Sequence, residues 1–300
     1  MTRKKVLVTG ATGRVGTPLI REIAKDNDTW GLARFTSPGS REKLEKLGVT
    51  CVAKDLADES FDDLPDDFTH VVHAGAIVFT GGSERDPAYT LELNAQATGR
   101  LMYHCRQAET FVHCSTGGVY RYSPEPVKES DLLGSTIGEY SLSKIVAEGL
   151  VTFLSRQLKI PTVILRIGMV WGLEGGGPAR RVDLMVRDEE VVVSAATPSY
   201  SSLIWEDDAV RMIQNALKLG EVPPLVVNLG GDEPVSTEEY CAYAGELLGV
   251  EPKFRYTDDT YPGTFMDPTR RQAIFGSCRI DWREGMRRLI EDRYPEMRKG

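Results

Sequence analysis

The chain has 300 residues, 41% of them hydrophobic and 27% charged, with a formal net charge of −8. This length allows one large or two closely joined domains with a sizeable core, and an acidic chain whose basic residues gather only in local pairs such as Arg270-Arg271 and Arg287-Arg288 lacks the basic face a nucleic-acid partner needs. Arg3, Lys4 and Lys5 precede only three apolar residues before Thr9 and Gly10, too few for a signal peptide or a membrane span, so a cytoplasmic protein with no membrane partner is expected.

In chain order, Lys5-Val-Leu-Val-Thr-Gly-Ala-Thr-Gly-Arg-Val-Gly16 joins a short apolar strand to an amphipathic run from Val15 to Ala24 through three glycines. Gly10 permits a tight turn, Gly13 leaves room for a phosphate to approach the backbone, and Gly16 lets the helix lie close on the sheet. With the free N–H groups and positive dipole end of the helix, the loop reads as a diphosphate cradle; the alternative is an ordinary loop. Further strands are predicted at Thr29 to Arg34, Thr50 to Ala53, His70 to His73, Phe111 to Ser115 and Thr162 to Arg166, with the clearest helices over Asp86 to Ala108 and Glu139 to Leu158. This alternation predicts an α/β fold built on a doubly wound parallel sheet, which binds ligands at the carboxyl ends of its strands. The acidic stretch from Asp58 to Asp67 reads as a solvated loop.

The second half is less regular. It opens with Gly172-Leu-Glu-Gly-Gly-Gly-Pro178, a flexible loop serving as a lid or as a plain connector. Helices are predicted over Asp207 to Leu219, Thr237 to Leu248 and Asp281 to Arg293, and a strand at Leu225 to Asn228. A dinucleotide-binding domain is expected over residues 1–170, with parts of 200–230 returning to it, and a smaller α/β substrate domain mainly over 171–300. The five cysteines (Cys51, Cys105, Cys114, Cys241 and Cys278) and the histidines His70, His73, His104 and His113 show no metal-ligand spacing, so no metal is expected.

Tyr140-Ser-Leu-Ser-Lys144 falls early in a predicted helix, where a spacing of four puts phenol and ammonium on one face. A neighbouring cation favours the phenolate and is expected to lower the Tyr140 pKa toward neutrality, making it a general acid/base; the bland alternative is a surface Tyr and Lys. The strand before it, Phe111-Val-His-Cys-Ser-Thr116, ends in hydroxyl residues where such a sheet keeps its site.

Together, the glycine loop, Cys114-Ser-Thr-Gly-Gly-Val-Tyr120 and Tyr140-x-x-x-Lys144 resemble the extended short-chain dehydrogenase/reductases, the NAD-dependent epimerase/dehydratase group, over nearly the whole chain. The resemblance implies a Rossmann-type fold, a homodimer and a small-molecule substrate. It implies Tyr140 as acid/base, Lys144 on the nicotinamide ribose and Thr116 on the reacting oxygen. It places a nicotinamide dinucleotide against Gly10, Thr12, Gly13, Arg14, Val15 and Gly16, against Asp55 and Leu56 at adenine, and against Ala74, Gly75 and Ala76 after His73. Asn94, Tyr140, Lys144 and the segment Ile167, Gly168 and Met169 after Leu165-Arg166 complete that set.

Four positions depart from the family pattern. Arg34 stands at the end of the second strand where NAD-preferring members carry an acid, which suits the 2′-phosphate of NADP, with NAD still possible. Gly117-Gly118 replace the Asp-Glu pair of dehydratases. Met169 replaces an asparagine that contacts the substrate diphosphate in many epimerases, and Ser201 replaces an arginine for the same group; Arg180, Arg181 and Arg187 are the cations nearby, and Trp171 and Met169 are expected as apolar walls of the site. The reading is an NADP(H)-dependent oxidoreductase interconverting a carbonyl and a secondary alcohol. A nucleotide-sugar 4-epimerase is the alternative within the family, and a non-catalytic NAD(P)-sensing regulator the alternative of another class, disfavoured because a pure binder needs no tuned phenol.

Overall fold

The computed structural model describes residues 3–58, 60–78, 86–135, 137–196, 199–260 and 262–297. Its first half builds β1 (Lys5–Thr9), α1 (Gly16–Ile23), β2 (Asp28–Ala33), α2 (Ser40–Glu45), β3 (Thr50–Ala53), β4 (His70–His73), α3 (Pro87–Leu91), α4 (Ala97–His104), β5 (Thr110–Thr116), α5 (Gly138–Leu158) and β6 (Thr162–Ile167). Val6, Leu7 and Val8 are all buried, a continuous apolar run of the kind a parallel strand covered on both faces requires. In α1 the buried Gly16, Leu19, Ile20 and Ile23 recur at spacings of three and four and press one stripe onto the sheet.

The seven-stranded sheet runs in the order Leu225–Leu229, β6, β5, β4, β1, β2, β3, and the pairs β1–β2, β1–β4, β2–β3 and β4–β5 are parallel. Chain order reverses at β1, whose Thr9 pairs with Leu32 on one side and His73 on the other. The crevice at the carboxyl ends of β1 and β4 is therefore the binding position of a doubly wound sheet.

The expected helices are not all continuous. The expected helix Asp86 to Ala108 starts at an Asp86 cap, whose carboxylate accepts from Ala88 N at 2.9 Å, and ends at His104. A π-turn at Glu92–Gln96 interrupts it, wide enough to turn Leu93, Asn94 and Ala95 all into the interior. The expected loop Gly172 to Pro178 is shorter than it reads: Gly172 and Gly175 bridge each other, and α6 (Gly177–Val186) begins inside it. Arg34 stands just past the end of β2.

By contact, residues 1–119, 137–166 and 210–227 form one compact unit and residues 120–136, 167–209 and 228–300 another. The segment 120–136, which the sequence reading leaves in the first domain, thus clusters with the second unit. That unit packs Trp171, Val182, Met185, Trp205, Tyr240, Trp282 and Met286 in one core. Short strand pairs frame it: Met169–Trp171 with Leu203–Trp205, Val191–Ser194 with Phe254–Thr257, and Tyr200–Ser201 with Val235–Ser236. Among the described residues no helix is long and apolar enough to cross a membrane.

Candidate functional site

The glycine loop is first of all a packing requirement. Gly10 has φ +66°, and a Cβ on it would lie 2.8 Å from the Gly75 backbone; a Cβ on Gly16 would lie 2.0 Å from the Gly10 carbonyl oxygen. Gly13 differs: it is exposed beside exposed Thr12, and a Cβ there would meet only the Gly10 oxygen, at 3.1 Å. No side chain caps α1 at Val15; Thr17 N is spent on the Gly13 carbonyl at 3.0 Å and Pro18 has no N–H, so what the helix start offers an anion is chiefly the positive end of its dipole. An open Gly13, an uncapped helix start and Arg14 in the same loop fit the diphosphate of a dinucleotide. At the far end of that crevice, half-exposed Arg34 lies 3.9 Å from the Asp55 carboxylate, whose same oxygen accepts from the Tyr89 hydroxyl at 3.1 Å. A Cβ on Gly75 would lie 2.5 Å from Leu56 Cδ1, so a side chain there would have to push Leu56 aside.

Behind the loop a buried relay fixes the segment that follows β4. Gly75 N donates to Thr9 Oγ1 at 3.0 Å, Thr9 Oγ1 meets His73 Nδ1 at 2.7 Å, His73 Nε2 meets Thr98 Oγ1 at 2.8 Å, and Thr98 donates to the Asn94 carbonyl at 2.8 Å. Since Thr98 gives its own proton to Asn94 and Thr9 accepts from Gly75, the chain closes with hydrogen on Nε2 and a proton from Thr9 to Nδ1. Burial holds His73 neutral, down to about 3 from the usual 6.5. Asn94 is expected on the cofactor, yet its amide is spent within the protein: Nδ2 donates to Ile77 O and Ser143 Oγ, each at 3.0 Å, and Oδ1 accepts from Ile77 N at 2.8 Å. It acts by tying the segment after β4 to α5, with Ala74 to Ala76 between these two anchors.

Thr116 closes β5, Tyr140 and Lys144 sit on the first turns of α5, and all three are buried. The Thr116 hydroxyl hydrogen-bonds Tyr140 and accepts from Gly118 N at 3.1 Å. A Cβ on Gly118 would lie 2.7 Å from Ile137 Cδ1 and 2.8 Å from Ser141 Oγ, so a side chain here would have to displace the ends of these two. The expected lowering of Tyr140 is corrected: burial dominates and pushes the phenol up to about 12, with only Thr116 pulling it down. The spacing to Lys144 gives proximity but says nothing of desolvation. Burial also drives Lys144 down to about 8, opposed by Cys114 and Glu148; the Cys114 thiol is itself pushed up to about 12 by burial and is uncharged at neutral pH, leaving Glu148 as the anion.

Ile167, Gly168 and Met169 open the second of the three stretches that make up the second unit. Gly168 N donates to Leu229 O at 2.9 Å and Met169 N to Ser202 O at 3.0 Å, so these two donors serve the protein. Trp171, expected as a site wall, is fully buried against Trp205 with ring centroids 5.1 Å apart and belongs to the core. Arg187 is tied to Glu189 on the surface. Arg181 is the arginine beside Met169: a Cβ on Gly177 would lie 2.6 Å from Met169 Sδ and 3.0 Å from Arg181 Nη1, and the guanidinium stands over the Tyr240 ring at 5.9 Å. Among the described residues no group of three or more His, Cys, Asp or Glu side chains could hold a metal. Sequence reasoning missed Glu148, although Tyr140, Lys144 and Glu148 at successive spacings of four trace one stripe of α5.

These elements and their order are those of a known family. Residues 6–230 match the family model described as the NAD dependent epimerase/dehydratase family. The chain belongs to this family. It is therefore an enzyme of the extended short-chain dehydrogenase/reductase type, with a nicotinamide dinucleotide as its class of cofactor. It is 25% identical, over 85% of its own length and 85% of the relative's, to a Bacillus subtilis protein named as an uncharacterized UDP-glucose epimerase. It is 27% identical to a dTDP-4-dehydro-6-deoxy-D-allose reductase of a Streptomyces species, covering 84% of this chain and 83% of the relative. Among solved structures, MoeE5 in complex with UDP-glucose and NAD superposes with a TM-score of 0.80 at 25% identity, covering 96% of this chain and 97% of MoeE5.

Two stability effects follow. His73 is neutral when folded but takes a proton near 6.5 when unfolded, so the stability present above 6.5 is lost as pH falls toward 3, at about 1.4 kcal/mol per pH unit. Urea melts from pH 7 to 4 should show at least this slope, since His113 is held neutral by the same burial, and His73→Gln should reduce it by about 1.4 kcal/mol per pH unit. Lys144 shifts in the same direction for the same reason: the unfolded chain holds more protons between about 8 and 10.5, so its burial costs stability in full below 8. Lys144→Met is expected to stabilise the protein at pH 7 by about 3 kcal/mol, read as a higher urea midpoint at unchanged m-value.

Proposed function

We propose that the protein is an NADP(H)-dependent oxidoreductase interconverting a carbonyl and a secondary alcohol, with Tyr140 as general acid/base. The observation that carries this is the burial of Thr116, Tyr140 and Lys144 at the carboxyl end of β5 and the start of α5, with the Tyr140 phenol kept protonated. In the reducing direction Tyr140 Oη gives its proton to the substrate oxygen while Thr116 holds that oxygen, and in the oxidising direction the same atoms reverse the transfer. When bound, the nicotinamide supplies or accepts the hydride. Lys144 grips its ribose, the Gly10 to Gly16 loop its diphosphate, and Asp55 and Leu56 border its adenine. Gly117-Gly118, which carry no acid where dehydratases of the family have Asp-Glu, speak against water elimination.

For the cofactor we infer a preference for NADP(H) from Arg34, a cation where NAD-preferring members carry an acid; NAD, present in the MoeE5 complex, is the rival. The second unit is assigned to a small-molecule substrate. A nucleotide-sugar 4-epimerase is the second reading, favoured by Arg181 beside Met169, where it offers a cation for a diphosphate, and by the names of the relatives. A cytoplasmic homodimer belongs to the same proposal, consistent with the exposed Leu142, Val146 and Phe153 on α5.

Three measurements decide these points. Tyr140→Phe should abolish turnover and leave cofactor affinity within about twofold, because only the proton transfer is removed; equal loss of both would refute its role. Arg34→Asp should weaken NADPH at least tenfold, the loss of a charge-assisted contact being about 1.5–3 kcal/mol; tighter NADH than NADPH binding by the unsubstituted protein would reject the preference. Panels of ketones, aldehydes and UDP-, GDP- and dTDP-sugars, followed by NADPH absorbance and thermal shift, separate the two readings: C4 inversion of a sugar with no carbonyl reduced would make the enzyme an epimerase.

A further inference from the structure

Glu148 lies one turn beyond Lys144 on α5 and is 5% exposed. Its carboxylate is fully engaged: Ser115 Oγ donates to Oε1 at 2.6 Å, Arg166 Nε donates to Oε1 and Oε2 at 3.1 and 3.2 Å, and Arg166 Nη2 donates to Oε2 at 2.8 Å. These bonds tie α5 to β5 and β6, the strands beneath Thr116, Tyr140 and Lys144. None of them goes to Lys144, for which no hydrogen bond is found among the described residues, so its ammonium feels Glu148 through space and keeps its donors for another oxygen.

The groups facing Lys144 leave Glu148 alone in this role. From β4 and β5 come His73 and His113, whose rings stack at 5.5 Å and are both kept neutral by burial. Cys114, also on β5, is an uncharged thiol, and Tyr140 on α5 is an uncharged phenol. Only Glu148 is negative, and it is shared with Arg166.

We propose that Glu148 is a positioning residue of the reaction: anchored by Ser115 and Arg166, its carboxylate sets the placement of Lys144 on α5 and keeps the ammonium charged for cofactor binding. The proposal rests on the assignment of Lys144 to the cofactor ribose. A merely structural ion pair would be indifferent to which partner is removed. A charge that acts on Lys144 would not, because losing the anion makes Lys144 easier to deprotonate whereas losing Arg166 makes it harder.

The test is NADPH affinity by fluorescence titration from pH 6 to 10 in the unsubstituted protein and in Glu148→Gln, Arg166→Gln and Lys144→Met, with folding checked by circular dichroism. In the unsubstituted protein affinity is expected to fall as pH rises through about 8, where Lys144 loses its proton. Lys144→Met should lack this limb. Glu148→Gln should move it down by about one pH unit, and Arg166→Gln should leave it no lower than in the unsubstituted protein, although both single variants lose the same ion pair. If Glu148→Gln does not fold, the double variant Glu148→Gln/Arg166→Met, which leaves no unpaired buried cation, should fold, and its limb should lie below that of Arg166→Gln. A limb that persists in Lys144→Met sinks the ribose assignment and this proposal together. A limb lost in Lys144→Met but unmoved by Glu148→Gln, or moved down equally by Arg166→Gln, sinks this proposal alone.

Discussion

A lysine ammonium inside the first unit is the constraint around which much of its polar interior is arranged. A buried charge costs several kcal/mol unless neighbours compensate it, and a lysine can escape by losing its proton. The fold meets this with one carboxylate, Glu148, and otherwise surrounds Lys144 with groups that burial keeps neutral: His73, His113, Cys114 and Tyr140. Had either histidine been cationic, the ammonium would face repulsion in a medium that screens poorly. The neutrality of the histidines is thus part of what makes a charged Lys144 tolerable at all.

The second constraint is the close approach of main chains at the point where the sheet changes direction. Gly10, Gly16 and Gly75 bring the loops after β1 and β4 together at distances that forbid a Cβ, and the Thr9, His73 and Thr98 relay holds that geometry from beneath. Asn94 extends the same fastening to α5 through Ser143, which in turn bonds the Tyr140 carbonyl at 2.7 Å. The π-turn at Glu92–Gln96 is what lets Asn94 reach inward. Loop, relay and helix therefore form one connected scaffold, and a disturbance at Thr98 reaches Tyr140 through hydrogen bonds alone.

What was legible in the sequence follows from which physics leaves a local trace. Short apolar stretches such as Val6 to Val8 and Val71-Val72 mark buried parallel strands, and the helix Thr237–Leu248 falls where the pattern places it, opened in the structure by a Ser236 and Glu239 capping box. The small strands of the second unit, two to four residues long, are too short to show a period, and Ser40–Glu45 buries only Leu44. Tyr140 and Lys144 could be named because a spacing of four brings side chains together, and Thr116 because it ends a strand in a stretch that resembles the family. The direction of the Tyr140 shift could not, because spacing carries no information on burial. For the same reason Asn94 reads as a ligand contact although its amide is spent on Ile77 and Ser143, and Trp171 reads as a wall although it is core.

The arrangement also explains how a protonated phenol and a charged lysine can coexist one turn apart. If Glu148 bonded Lys144 directly, the ion pair would be satisfied and the ammonium would have little to offer an incoming oxygen. By accepting its hydrogen bonds from Ser115 and Arg166 instead, Glu148 supplies field without occupying the donors of Lys144. Tyr140, meanwhile, is held as a phenol by desolvation and touches Thr116, so it has a proton to give but a poorly stabilised anion once that proton has left. On the proposed assignment, the return of the proton is then favoured by the same burial that hinders its departure. A cycle in which one oxygen is alternately protonated and deprotonated needs that reversibility, whether the carbon it belongs to is reduced once or inverted by oxidation and reduction in turn.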